Sequence, residues 1–214
     1  LPMASTTKIM TALVALGEGD LDRVYIVKPE YAAVEGSSMY LKAGETLSLR
    51  DTLYGLMLAS GNDAAVAIAG ECGGMTAFVG KMNAKAAELG LTDTHFDNPN
   101  GLPSDTHYTT AHELAKITAA ALKDPVFRQI VSTKSCTVSG HALSNHNRLL
   151  SMYDGAIGVK TGYTRAAGRC LVSAAERNGR TIIAVTLNDP NDWNDHMEML
   201  DAGFAQYSEV TLHT

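Results

Sequence analysis

The sequence predicts an α+β fold, in which an antiparallel sheet flanked by helices joins a mainly helical lobe and an active-site cleft lies between them. Three observations predict it. From Asp51 to Val131 apolar residues recur at helical spacing. From Thr133 onward the chain turns to short strand-like runs, two of them joined at Asn178-Gly179, a strong type I′ hairpin signal. The stretch Trp193 to Phe204, with Met197, Met199 and Leu200, then reads as a closing helix able to pack on that sheet. With 214 residues, 45% of them hydrophobic, the chain can build one sizeable core or two lobes sharing a cleft. Residues 1–214 therefore read as a single domain.

Taken in order, Ser5 to Leu16 is a helix, with Ile9, Met10, Leu13 and Leu16 as its buried positions. Gly17-Glu18-Gly19-Asp20 breaks it, and Val24 to Val27 reads as a short strand. Glu30 to Thr46 is irregular. Asp51 is the expected N-cap of a helix through Leu58, which halts at Ser60-Gly61-Asn62. The next helix, Asp63 to Glu71, is almost wholly Ala, Val and Ile and should be hydrophobic all round and central. Gly73-Gly74 ends it, and Met75 to Leu89 follows with Gly90 as its C′ residue. A surface connection marked by Asn98-Pro99-Asn100-Gly101 leads to helix over Thr110 to Leu122 and again over Val126 to Val131, after a first-turn Pro125. Thr137-Val138, Ile157 to Lys160, Cys170 to Ala175 and Thr181 to Leu187 are the expected strands.

Composition narrows the function classes. A net charge of −6 leaves no general basic field, which argues against a nucleic-acid partner. No run of eighteen apolar residues occurs, which argues against a membrane-spanning helix. Cys72, Cys136 and Cys170 are widely spaced without a C-x-x-C, so they read as buried thiols, not as a disulfide framework or zinc site. No metal or other cofactor is expected. No signal peptide is visible, and the chain opens abruptly at Leu1-Pro2, so a preceding segment is expected.

Three short strings fall where the cleft should be. Ser5-x-x-Lys8 places a hydroxyl and an amine three residues apart on one helix face, and a serine becomes a good nucleophile only with a base in reach. Ser60-Gly61-Asn62 occupies the break between two helices, and Lys160-Thr161-Gly162 ends a strand. Each has an ordinary reading: a helix cap with a solvated lysine, a helix-terminating turn, a strand end with exposed lysine. A chance Lys-Thr-Gly, however, is expected only about once per several thousand residues. In this order and placement the three define a serine-based acyl-transfer site.

The triple resembles that of the low-molecular-mass penicillin-binding proteins, the serine-type D-alanyl-D-alanine carboxypeptidases of the β-lactamase/transpeptidase-like superfamily. The likeness extends through Leu1-Pro2-Met3-Ala4-Ser5-Thr6-Thr7-Lys8, Ala59-Ser60-Gly61-Asn62-Asp63-Ala64-Ala65, Gly101-Leu102, His107-Tyr108-Thr109-Thr110, Gly158-Val159-Lys160-Thr161-Gly162-Tyr163-Thr164 and Ala167-Gly168-Arg169-Cys170. It implies a hydrolase that removes the terminal D-alanine from peptidoglycan stem peptides on the extracytoplasmic side of a bacterial membrane, and that β-lactams acylate. It further implies Ser5 as nucleophile, Lys8 as base and Ser60 as proton relay. Asn62 would bind the substrate amide and steady Lys8, and Lys160 and Thr161 would take the terminal carboxylate. Gly162 would allow close approach, and the backbone N–H groups of Ser5 and Tyr163 would form the oxyanion hole. Family members usually carry strands before the nucleophile helix and often a C-terminal β domain; neither is visible here, so a missing N-terminal segment or second chain is expected to complete the sheet.

Three alternatives remain. A class A β-lactamase would need a glutamate in a Glu-x-x-Leu-Asn-like loop between the second and third motifs, and Glu113 reads as helix instead. A non-enzymatic β-lactam sensor would acylate stably without releasing D-alanine. Metal-dependent hydrolysis is the poorest, since His112-Glu113 lacks its second histidine. His95, His107, His141, His146, His196 and His213 read as structural or exposed.

Overall fold

A computed structural model describes residues 1–206. A 3₁₀ turn, Ala4–Thr7, leads into α1 (Lys8–Leu16). Ile9, Met10, Ala12, Val14 and Ala15 are buried, and so are Thr6, Thr7, Lys8 and Thr11, whereas Leu13 and Leu16, expected to be buried, are half-buried. The helix runs through the helical lobe, touching α3 (Leu49–Leu58), α4 (Asn62–Glu71), α5 (Met75–Glu88), α6 (Ala111–Ala121) and α7 (Pro125–Ser132). Between α1 and α3, β1 (Val24–Ile26) pairs antiparallel with β2 (Thr46–Ser48), and α2 (Pro29–Ala32) adds one turn to a stretch expected to be irregular.

Helix starts follow from side-chain caps. Ser48, not Asp51, caps α3: its Oγ accepts the Asp51 N–H at 3.0 Å, which places Asp51 in the first turn. Thr110 caps α6 through the Glu113 N–H at 3.1 Å, and Asp124 caps α7 with Pro125 at the first position. As expected of its composition, α4 is central, with Ala64, Ala65, Ala67, Ile68 and Ala69 all buried. It begins one residue early, at Asn62.

The expected strand at Thr137-Val138 is one arm of a hairpin, β3 (Ser135–Val138) with β4 (His141–Ser144), which stands apart from the main sheet. Single-turn α8 (Leu149–Met152) follows. The main sheet has the order β5-β6-β7, antiparallel throughout: β5 (Ala156–Thr164), β6 (Gly168–Arg177) and β7 (Arg180–Leu187). Asn178 (φ 52°) and Gly179 (φ 73°) both take the left-handed backbone that a type I′ turn requires. Val172 and Ala174 join the main core on one face, while Ala175 and Ala184 meet Leu200 of α9 (Asp192–Gln206) on the other. Helices α6 and α7 contact β7 and β5, so the sheet lies between the helical lobe and α9.

Two expectations need correction. Lys160-Thr161-Gly162 lies inside β5, because Tyr163 and Thr164 continue the pairing with Arg169 and Gly168. Cys136 is half-buried on the hairpin, whereas Cys72 and Cys170 are buried; all three are free thiols. His213 lies outside the described residues.

Candidate active site

The site is assembled around the first turn of α1. Ser5 in the 3₁₀ turn and Lys8 at the helix start share a face, and Lys8 Nζ stands 3.0 Å from Ser5 Oγ. Two further groups hold the amine, Asn62 Oδ1 at 2.7 Å and the Asn100 carbonyl at 2.6 Å. Those oxygens only accept, so each takes an N–H from Lys8. A neutral amine has two N–H groups, and its lone pair then faces the Ser5 hydroxyl. Electrostatics favour that neutral form: burial first, then the charge of Lys160, hold Lys8 well below the ordinary lysine value, with Asp63 opposing.

The second string forms the break between α3 and α4. Ser60 is buried with φ 59°, a left-handed backbone that costs a non-glycine residue energy and recurs at functional sites. Asn62 is held on three sides: its N–H donates to the Ser37 carbonyl at 2.7 Å, Nδ2 donates to the Glu35 carbonyl at 2.7 Å, and Oδ1 takes Lys8. The second Nδ2 hydrogen remains for another acceptor.

The third string is on β5, the strand at the sheet edge nearest the nucleophile turn. A β-carbon at Gly162 would stand 3.1 Å from the backbone nitrogens of both Ser5 and Thr6, so any larger residue would push the strand or the nucleophile turn back by a few tenths of an ångström. Lys160 is buried and donates to the Thr161 carbonyl at 3.0 Å; burial pushes its pKa down to about 7.

A cleft of about 310 Å³ brings Ser5, Ser60, Thr161, Gly162 and Tyr163 to one surface, along with Ser37 and His146. Lys8, Asn62 and Lys160 are buried behind it, and among the described residues Ser60 makes no hydrogen bond to Ser5 or Lys8. On one flank Arg169 grips Asp192 through two bonds of 3.1 and 2.8 Å, beside Trp193. His146, expected to be structural or exposed, thus stands on the cleft wall. His107 and His196 are structural: Asp97 N–H donates to His107 Nδ1, so Nε2 carries the hydrogen and donates to Thr7 Oγ1 at 2.8 Å. Burial holds both imidazoles at about 4.

Three positioning groups escaped the sequence reading. The buried carboxylate of Asp63 accepts from Ser38 Oγ at 2.5 Å and from the N–H groups of Met39, Leu41 and Ala64 at 2.9–3.0 Å, shaping the segment that carries Ser37. The Asn100 carbonyl holds Lys8. Gly101 (φ 88°) lies so close to the Ala4 carbonyl that a β-carbon there would stand 1.9 Å from it. A lone aspartate in a first helical turn and a loop carbonyl carry no sequence signal of their own; only the Asn-Pro-Asn-Gly turn hinted at the last two.

A hydroxyl paired with a buried amine whose pKa is held well below the ordinary lysine value, facing a sheet edge that carries a second lysine, defines a serine acyl-transfer enzyme of the penicillin-binding type. Residues 1–191 match the sequence profile of the D-alanyl-D-alanine carboxypeptidase family. The chain is 40% identical over 223 residues to the D-alanyl-D-alanine carboxypeptidase DacB2 of Mycobacterium tuberculosis, covering 99% of this chain and 77% of that protein. It is 39% identical over 227 residues to the D-alanyl-D-alanine carboxypeptidase of Streptomyces sp. strain K15, covering 94% and 78%. The crystal structure of the Streptomyces K15 DD-transpeptidase superposes with a TM-score of 0.89 at 38% identity, over 95% of this chain and 88% of that one. The chain belongs to the D-alanyl-D-alanine carboxypeptidase family.

Two predictions follow from this geometry. Gly162→Ala should slow acylation of Ser5 by benzylpenicillin about ten- to a hundredfold, read by stopped-flow, because the strand must retreat from the nucleophile turn. Lys160→Met should raise Tm most below pH 7 and least near pH 10. The folded lysine titrates at about 7 and the unfolded one near 10.4, so the wild type gains stability as pH rises through that window and the variant does not.

Proposed function

We propose that this chain is a serine D-alanyl-D-alanine carboxypeptidase that removes the terminal D-alanine from peptidoglycan stem peptides through a Ser5 acyl-enzyme. The observation that carries the reading is the Ser5 hydroxyl 3.0 Å from a buried amine whose other two contacts are carbonyl oxygens. Lys8 takes the Ser5 proton as Oγ attacks the penultimate D-alanine carbonyl. Oxyanion charge falls on the backbone N–H groups of Ser5 and Tyr163. Ser60 relays a proton to the departing amine, and the spare Asn62 hydrogen meets the substrate amide. Lys160 and Thr161 take the terminal carboxylate, whose charge favours the protonated form of Lys160. Water then cleaves the ester. β-lactams enter the same cleft and acylate Ser5, but their ring fragment stays attached and obstructs water. Substrate of this kind implies work outside the cytoplasm; no helix among the described residues is long and apolar enough to cross a membrane.

The alternatives fare less well. Glu113 accepts from the N–H groups of Thr92 and Asp93 and from Thr94 Oγ1, holding a loop against α6 and standing outside the cleft lining, so it is no deacylating base. The family match favours a peptidase over a sensor domain.

Benzylpenicillin should leave a lasting adduct on Ser5 by intact mass and peptide mapping, and Ser5→Ala should abolish both the adduct and D-alanine release. Surviving acylation would remove Ser5 as nucleophile. Lys160→Ala should weaken turnover of peptides with a free terminal carboxylate far more than of their C-terminal amides, and equal losses would take Lys160 out of that role.

A further inference from the structure

The segment Ser37–Tyr40 and strand β4 face each other across a second cavity of about 320 Å³, which shares Ser37 and His146 with the cleft. One side chain joins the two walls. His141, at the start of β4, is largely buried, with Nδ1 3.0 Å from the Met39 carbonyl and Nε2 3.1 Å from Glu45 Oε2. Carbonyl and carboxylate oxygens only accept, so both ring nitrogens must carry hydrogen, which is the imidazolium. A neutral ring keeps one of these bonds and turns a lone pair on the other oxygen. The carbonyl in question belongs to a strained peptide. Tyr40, which follows it, has φ 66° although it is 78% exposed, and a left-handed backbone at a residue other than glycine persists only where its surroundings hold it. This peptide is held at both ends: the Tyr40 N–H donates to Ser38 Oγ at 2.8 Å, and the Met39 carbonyl takes His141. Asp63 fixes the N–H groups of Met39 and Leu41 and the Ser38 hydroxyl, but as an acceptor it cannot hold a carbonyl.

We propose that His141 is a positioning residue for acylation of Ser5: its imidazolium clamps β4 to the segment that walls the cleft, and loss of its proton as pH rises loosens that wall and slows the reaction. The proposal rests on the Ser5 acyl-enzyme reading. The route to the chemistry is short. Ser37 lines the cleft, its carbonyl takes the Asn62 N–H at 2.7 Å, and Asn62 Oδ1 takes Lys8 at 2.7 Å. Release of the Met39 carbonyl, two residues on, lets the left-handed turn relax, and the Ser37 carbonyl shifts with it. Histidine is the side chain whose charge changes near neutral pH. The titratable groups about this ring come from every element packed there: Lys42, Glu45 and the Tyr40 phenol on the chain before β2, Asp51 on α3, Asp63 on α4, and His146 beyond β4. Asp51 holds the hairpin tip through Ser139 Oγ at 2.6 Å. Of these groups only Glu45 bonds the ring, and its Oε1 is fixed by the Lys42 N–H at 2.6 Å, which keeps Oε2 aimed at Nε2.

Glu45→Gln separates this clamp from a merely structural contact. The glutamine Oε1 still accepts the Lys42 N–H while its amide donates to Nε2, so a neutral His141 keeps both bonds and the clamp no longer depends on pH. Acylation by benzylpenicillin is timed on both proteins from pH 5.5 to 9 and expressed as the ratio of wild type to variant, in which the Lys8 and Lys160 titrations common to both cancel. The ratio should fall about three- to tenfold across that range, the scale of one hydrogen bond. A flat ratio overturns the proposal. Nitrogen chemical shifts of the His141 ring should show both nitrogens protonated in wild type at pH 5.5, and a bare nitrogen there overturns it too. If Glu45→Gln misfolds, shown by loss of its thermal unfolding transition, His141→Gln takes its place. Wild type should then outpace that variant about three- to tenfold at pH 5.5 and match it at pH 9; the same ratio at both ends rejects the clamp. Absence of acylation in wild type at every pH strikes instead the Ser5 reading, and the clamp falls with it.

Discussion

The rest of this structure depends on a lysine that is wholly buried. An ammonium in that position would need full compensation, since removing a charge from water costs several kcal/mol even after relaxation. Lys8 is compensated as an amine: Asn62 Oδ1 and the Asn100 carbonyl take its two N–H groups, and Ser5 stands at the remaining position. The three partners come from the nucleophile turn, the start of α4 and the loop before α6. One titratable group therefore fixes the mutual placement of three chain segments, and the same burial that orders them lowers the pKa of the amine and so favours the free base the reaction needs.

Close backbone approach is the second constraint. Gly101 lies against the carbonyl of Ala4, and Gly162 against the nitrogens of Ser5 and Thr6, so the nucleophile turn is squeezed between a loop and a strand edge. Ala4 itself has φ 48°, next to the nucleophile. Strain of this kind persists only where packing over-determines it, and here Thr6, Thr7 and Lys8 are all buried. Asp63 does the equivalent work across the cleft, where one carboxylate organises four donors and holds the segment that walls both cavities.

Charge is distributed against the average. The chain carries a net −6, yet two of the groups buried behind the cleft, Lys8 and Lys160, are lysines. Lys160 titrates at about 7 in the free protein, so an arriving carboxylate gains a partner that its own charge helps to protonate. Selectivity for a free terminal carboxylate then follows from burial as well as from the contact.

Much of this was legible in the sequence, and for local reasons. Helix periodicity, the Asn178-Gly179 turn and the Ser5–Lys8 spacing depend on neighbours a few residues apart, so they survive translation into structure with shifts of a residue or two. The site residues named from the three strings all lie in or directly behind one cleft. What the sequence could not show were the long-range partners. His141 to Ser144 is too short and too polar to announce a strand, and becomes one only by pairing with Ser135 to Val138. Lys160 looked like a strand end because nothing local says that Tyr163 and Thr164 continue to pair with β6. Asp63, the Asn100 carbonyl and the wall position of His146 acquire their roles from residues 22 to 92 positions away, or from a cavity that exists only after packing. The sequence by itself determined which groups could do the chemistry. Only the tertiary structure decided how burial lowers the pKa of Lys8 and Lys160 and where β5 meets the nucleophile turn, because burial and pairing are properties of the assembled chain.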